Sequence, residues 1–266
     1  MNRIDKRFKE LRRKKKKAFI VYVTAGDPNA KATERIILEL DRCGVDILEL
    51  GIPFSDPIAD GPTIQAASQR SLSNNINIGK ILGLVGRVRR ATDIPIALMT
   101  YYNPVYIYGI KDFVKDAKDA GVDGIIVPDL PPEEAEELIS YSRRANFKNI
   151  FLLSPTSSRE RIKFITKKSS GFIYYVSLTG VTGARESLPK DIANNVKMIK
   201  RMTDKPVCVG FGVSTPKQAR SIARIADGVI VGSAVIKVIE KNLKKRDIHK
   251  KVARFITSLI RPVKGI

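Results

Sequence analysis

The chain has 266 residues, 43% hydrophobic and 28% charged, a balance that excludes a disordered polypeptide and suits a globular one with a large buried core. No uninterrupted apolar stretch reaches the ~18 residues of a membrane helix. Lys and Arg number 48 against 27 Asp and Glu, a formal net charge of +21, which favours anionic partners such as phosphorylated substrates or nucleic acid and says nothing about fold.

Residue types narrow the chemistry further. Cys43 and Cys208 are too few for a disulfide framework and lie in apolar runs, so buried, reduced thiols are expected. A reducing compartment follows, the cytoplasm or the soluble space of a plastid, and no apolar signal core precedes the basic run near the N-terminus. The single histidine, His249, excludes His-based triads and multi-His metal sites. Acid–base work is left to carboxylates, Tyr, Lys or Cys.

No low-complexity linker interrupts the chain, which reads as one domain over residues 1–266. Apolar runs rich in Val, Ile and Leu predict strands at Ala18–Thr24, Val45–Leu50, Pro95–Thr100, Gly124–Val127, Asn149–Leu153, Phe172–Ser177, Pro206–Val209 and Gly228–Val231. Lacking clean alternation, they suit strands covered on both faces of a parallel sheet. Helical patterns lie between them. Thr33–Cys43 sets Ile36, Ile37, Leu40 and Cys43 on one stripe. Pro132–Ser142 opens with Pro and Glu, and Ser214–Ala223 with Ser-Thr-Pro, both favourable at a helix start. The tail from Lys237 to Ile266 reads as additional helix, with Val252, Phe255, Ile256 and Leu259 on one face. About eight strand–helix units in this length predict a closed (β/α)8 barrel with parallel strands and extra terminal helices; an open doubly wound sheet is the alternative.

In a barrel the active site forms at the C-terminal strand ends. Three constellations fall there. In the second strand Glu49 is flanked by Leu48 and Leu50, so it points to the opposite side of the pleat. It is either a core Glu paired with a cation or, if its face is the lumen, a carboxyl of raised pKa fit for acid–base catalysis. Asp56 and Asp60 follow in a Pro/Gly-rich loop, where turn-capping Asp is common. After the sixth strand, Ser177–Arg185 is rich in Gly and Thr and reads as a hinged lid or a plain surface loop. After the seventh and eighth strands, Gly210–Ser214 and Gly232–Ala234 each precede a helix. Small residues there let main-chain amides approach a phosphate at a helix N-terminus. The basic run Arg12–Lys17 reads as a solvated face or a nucleic-acid patch. No recognised nucleic-acid motif accompanies it and the chain has no Trp, so nucleic acid is not an expected partner.

The block Leu48–Gln65, LELGIPFSDPIADGPTIQ, closely resembles the tryptophan synthase alpha chain family. The resemblance continues through Thr24–Pro28, Tyr101–Pro104, Val127–Pro131, Gly180–Arg185, Val209–Val213 and Val231–Ala234, in family order over nearly the whole chain. It implies retro-aldol cleavage of indole-3-glycerol phosphate to indole and glyceraldehyde 3-phosphate. It further implies Glu49 as general acid and base, Asp60 as the carboxylate on the indole N–H, and Tyr174 beside the reacting hydroxyl. Gly183, Phe211, Gly212, Gly232 and Ser233 match the phosphate site. Tyr22, Leu98 and Met99 match the indole pocket, and Thr182 the lid residue that meets Asp60. Asp56, Pro57, Asn103, Pro104 and Asp129–Pro132 match contact loops toward a β subunit, expected in an α2β2 tetramer. Pyridoxal phosphate is expected only in that partner, with no cofactor or metal in this chain. The basicity at Arg12–Lys17 departs from the family pattern without touching a motif.

Overall fold

The computed structural model describes residues 1–176, 190–210 and 212–265, apart from the side chain of Lys190. The strands are β1 (Ala18–Thr24), β2 (Ile47–Gly51), β3 (Ile96–Met99), β4 (Gly124–Ile126), β5 (Lys148–Asn149), β6 (Leu152–Leu153), β7 (Ile173–Val176), β8 (Val207–Gly210) and β9 (Gly228–Val231). The helices are α1 (Arg3–Arg13), α2 (Ala30–Arg42), α3 (Pro62–Ser73), α4 (Ile78–Val88), α5 (Tyr102–Tyr108), α6 (Ile110–Asp119), α7 (Glu136–Arg144), α8 (Arg159–Lys168), α9 (Lys190–Lys200), α10 (Pro216–Ile225), α11 (Ser233–Glu240) and α12 (Ile248–Lys264). No helix among the described residues is long and apolar enough to cross a membrane.

Every strand pairing is parallel, and the hydrogen-bonded order is β5-β4-β3-β2-β1-β9-β8-β7-β6. The two ends of that order are consecutive in the chain. Ile150 N–H donates to Ile125 O at 3.0 Å on one side, and Tyr174 N–H donates to Phe151 O at 3.2 Å on the other. One stretch of backbone therefore serves both neighbours and closes the barrel, so the open-sheet alternative falls. The predicted fifth strand, Asn149–Leu153, is split into β5 and β6.

Alternation sorts side chains into two layers. Ala18, Ile20, Ile47, Ala97, Ile126, Ile150, Tyr174, Cys208 and Ile230 form an inner cluster. Val21, Leu48, Leu50, Leu98, Ile125, Val209 and Val229 join the outer layer under the helices. The amino end of the lumen is plugged by α1, which drives Ile4, Phe8 and Leu11 into the inner cluster. Asn2 caps α1, accepting from Ile4 N–H at 2.9 Å and donating to Asp123 O at 2.8 Å. Three aspartates at this end each accept a neighbouring strand's N–H: Asp46 from Phe19 at 2.7 Å, Asp123 from Ile96 at 2.9 Å and Asp227 from Val207 at 3.0 Å. Cations face the same groups, among them Arg7 and Lys264 on Asp46 and Arg89 on Asp123.

Some boundaries shift. The predicted helix Pro132–Ser142 starts later, at Glu136, because residues 132–134 are held in a turn with Glu134 N–H donating to Pro131 O at 3.0 Å. The tail divides into the end of α11 and the separate α12. Cys208 is buried, whereas Cys43 is only half-buried beneath α12.

Candidate active site

Parallel register places Tyr22, Glu49 and Ala97 side by side on neighbouring strands, all facing the lumen. Glu49 is 0% exposed, and neither of its carboxylate oxygens has a hydrogen-bond partner among the described residues. Among the described residues no cation pairs with it, so they do not support the paired-core reading. Burial pushes its carboxyl from the usual 4.5 up to about 8, as desolvation disfavours the charged form. An unpaired buried carboxyl costs several kcal/mol if ionised, so it stays protonated at neutral pH.

Around it stand aromatic hydroxyls. Tyr22 lies across β2; a Cβ on Gly51 would meet the Tyr22 hydroxyl at 2.2 Å, so only glycine fits at Gly51. Tyr174, in register with Cys208, leans over β8, and a Cβ on Gly210 would meet its ring within 3.1 Å. Burial first, and the neighbouring Glu49 second, raise the Tyr174 phenol well above its ordinary value. Tyr22 is raised as well, mainly by burial and then by Asp60. Both phenols therefore remain protonated donors.

Asp60 sits in the loop between β2 and α3. Burial raises its carboxyl from 3.8 to about 6, against the lowering effect of a hydrogen bond from Tyr101. Tyr101 also accepts from Ala59 N–H at 2.9 Å, and its ring packs 5.5 Å from Phe54. It thereby ties the loop to the start of α5. In the sequence Tyr101 stands only as part of the Tyr101–Pro104 motif, and local pattern does not express its hydroxyl's partners in the β2–α3 loop. A narrow cleft lined by Tyr22, Asp60, Met99, Tyr101 and Pro128 opens at this point.

Leu98 is corrected. It is in register with Leu50 and Ile125 on the helix-facing side of β3, while Ala97 and Met99 occupy the lumen side. The two-residue period allows only one of Leu98 and Met99 to face a pocket in the barrel mouth.

Of the two Gly-rich turns, one leads to a bare helix terminus. Thr215 and Gln218 form a reciprocal capping box at the start of α10. At α11 the N-cap is Gly232, with no side-chain cap, so the first amides of Ser233 and Ala234 point out of the helix without intrahelical partners. Gly232 lies against Tyr22, its ideal Cβ position 3.5 Å from Tyr22 Cβ. Gly212 has φ +52°, in the left-handed region that favours glycine. Thr182, Gly183 and the rest of Ser177–Arg185, and Phe211, lie outside the described residues.

On the rim, Asp56, Asn103 and Asp129 are exposed and Pro57 is half-exposed. Asp129 accepts from Tyr102 N–H at 2.9 Å and so caps α5. Beside them Ile58, Tyr106 and Ile107 are the most exposed large hydrophobic side chains of the described residues apart from Met1. Sequence motifs led to the polar members of this rim and missed the apolar ones.

Two carboxyls of different proton affinity, set in the mouth of a (β/α)8 barrel beside an uncapped helix N-terminus, define an acid–base enzyme of the barrel class. The family profile described as tryptophan synthase alpha chain matches residues 8–263. The chain is 49% identical to the tryptophan synthase alpha chain of Geotalea daltonii over 259 residues, 97% of this chain and 98% of that one. It is 48% identical to that of Caldanaerobacter subterraneus, with the same coverage of both chains. The crystal structure of tryptophan synthase subunit alpha from Legionella pneumophila superposes with a TM-score of 0.93 at 39% identity, covering 100% of both chains. The chain belongs to the tryptophan synthase alpha chain family.

Proposed function

We propose that this protein cleaves indole-3-glycerol phosphate to indole and glyceraldehyde 3-phosphate, with Glu49 carrying the proton both ways. The observation behind this reading is the Glu49 carboxyl buried in the lumen without a hydrogen-bond partner among the described residues; burial raises it to about 8, which favours a proton there at neutral pH. Glu49 gives its proton to C3 of the indole ring, and the positive charge appears at the ring nitrogen. Asp60, ionised above about pH 6, accepts the N–H there and stabilises that charge. The bond from C3 to the glycerol carbon then breaks, its electrons restoring the indole. The carbinol carbon becomes the aldehyde and its hydroxyl proton returns to Glu49, so the enzyme ends as it began. Tyr174, kept protonated by burial, holds the reacting hydroxyl.

The phosphoryl group belongs at the bare terminus of α11, where Ser233 and the backbone of Gly232 offer amides and the helix dipole favours an anion. Gly212 flanks it, and Phe211 and Gly183 complete the cradle by family resemblance. Tyr22 and Met99 line the ring pocket. The exposed rim of Asp56, Pro57, Ile58, Asn103, Tyr106, Ile107 and Asp129 is the surface for a tryptophan synthase β subunit in an α2β2 assembly. The β subunit carries the pyridoxal phosphate. Exposed Ile58, Tyr106 and Ile107 beside polar neighbours supply the mix of apolar and polar side chains that an interface uses.

The test is indole release from indole-3-glycerol phosphate by the isolated chain, with and without a β subunit. Indole formation by the wild type, lost in Glu49→Gln and raised by the β subunit, is the expected result. A wild-type chain that releases no indole under either condition would overturn the reading.

A further inference from the structure

Asp60 must hold a fixed place opposite the substrate ring, yet the helix that follows it is weakly gripped by hydrophobic packing. The buried face of α3 consists of Ala67, Ser68 and Ser71. By contrast, α4 buries Ile81, Leu82, Leu84, Val85 and Val88. Small side chains let α3 approach the barrel closely but provide few large knobs to stop it sliding.

Polar ties supply the lock. Arg70 forks onto Asp27, Nε to Oδ1 at 2.8 Å and the outer amino group to Oδ2 at 2.9 Å. The Asp27 carboxyl is fully buried at the carboxyl end of β1. The remaining amino group of Arg70 reaches Glu240, at the far end of α11, at 3.5 Å. The next residue, Ser71, donates to Ala25 O at 2.5 Å, and Asn74, one turn on, donates to Pro28 O at 2.6 Å. At the other end of the same helix, Gln65 Nε2 donates to Asp60 O at 2.8 Å. A continuous rigid path thus runs from the β1 loop through Arg70 and α3 to the backbone of Asp60.

We propose that Arg70 is a positioning residue for Asp60, its fork on Asp27 fixing α3 along its axis and so the carboxyl that meets the substrate's ring nitrogen. This rests on the reaction proposed above. Planar, bidentate pairing of this kind fixes orientation as well as distance, which a lysine cannot reproduce. Because Asp60 acts on charge that develops during the reaction, the loss falls on kcat, while the phosphate cradle at the opposite end of α11 from Glu240 stays intact.

The experiment compares wild type, Arg70→Ala and Arg70→Lys in the full chain, measuring kcat for indole release and the inhibition constant of glycerol 3-phosphate. Misplacement of a catalytic group by a fraction of an ångström predicts a loss in kcat of roughly tenfold to hundredfold, with the inhibition constant moving by no more than about twofold. Added guanidinium ion should restore part of the Arg70→Ala activity. If Arg70→Ala does not fold, Arg70→Lys carries the same split of constants. Retained kcat in the folded variants, or a parallel loss of kcat and glycerol 3-phosphate affinity, would overturn the inference. A wild type without indole release would instead point to failure of the reaction itself.

Discussion

The two ends of the barrel solve opposite problems. At the amino end the lumen is sealed by Ile4, Phe8 and Leu11, and the buried Asp46 and Asp123 carboxylates there are paired with both backbone amides and cations. Toward the carboxyl end Glu49 is equally buried, and neither of its oxygens has a hydrogen-bond partner among the described residues. Burial is common to Asp46, Asp123 and Glu49, and to Asp27, which Arg70 pairs at the carboxyl end; Glu49 differs in that no polar partner among the described residues has followed it inside. Satisfied carboxylates stiffen the base of the fold, and the unsatisfied one stores the capacity to give a proton.

Substitutions at the two ends should therefore separate activity from stability. The largest effect on activity is expected at Glu49. Glu49→Gln should lower kcat by at least ~100-fold while leaving the fold intact. Its stability relative to wild type should also rise with pH. The sign follows from linkage: a carboxyl near 4.5 when unfolded and about 8 when folded makes wild-type folding take up a proton between those values. Wild-type stability from this group is full below pH 4.5 and falls as pH rises through about 8. Denaturant unfolding of both proteins at pH 5 and pH 9 checks this; a constant difference would break the contrast between the ends.

Asp60→Asn comes next, with kcat falling about 100-fold as charge stabilisation at the ring nitrogen is lost. In the wild type, an ionised Asp60 and a protonated Glu49 are both required. The kcat/KM profile, which reports the free enzyme, should then be bell-shaped, with limbs near the values of about 6 and about 8. The smallest effect on kcat belongs to the plug. Phe8→Ala should cost about 3–5 kcal/mol of stability through cavity formation, measured by chemical denaturation, with kcat of the folded fraction nearly unchanged. On the rim, Ile58→Asp should weaken β-subunit binding, measured by titration calorimetry, and leave the isolated chain's indole release as it is.

The same contrast explains what the sequence disclosed. Strands were legible because each is an apolar run of Val, Ile and Leu, and the two leucine neighbours set Glu49 on the opposite side of the pleat, but only the register and the inner cluster show that this side is the lumen. The split between β5 and β6 was not legible, since Ile150 and Phe151 resemble any other strand residues and only pairing to two different neighbours divides them. The plug was hidden because Ile4, Phe8 and Leu11 are spaced among Arg and Lys that dominate the composition of α1. The side of β3 that Leu98 faces depends on register with Leu50 and Ile125 on neighbouring strands, which a local pattern of Ala, Leu and Met does not express. Tyr101 and Arg70 act through partners 42 and 43 residues away, a relation that local pattern cannot express. The capping box at α10 lies within four consecutive residues, Thr215 to Gln218, so the distinction between a capped α10 and a bare α11 was available in the chain.

The most direct test of the proton-carrying role is a site-resolved titration of the residue 49 carboxyl, by carbon-13 NMR of labelled glutamate assigned against Glu49→Gln. A midpoint near 8, with the group protonated at neutral pH, is the predicted result. A midpoint near the ordinary 4.5 would mean that water or a cation reaches this carboxyl, and it would contradict the role assigned to it.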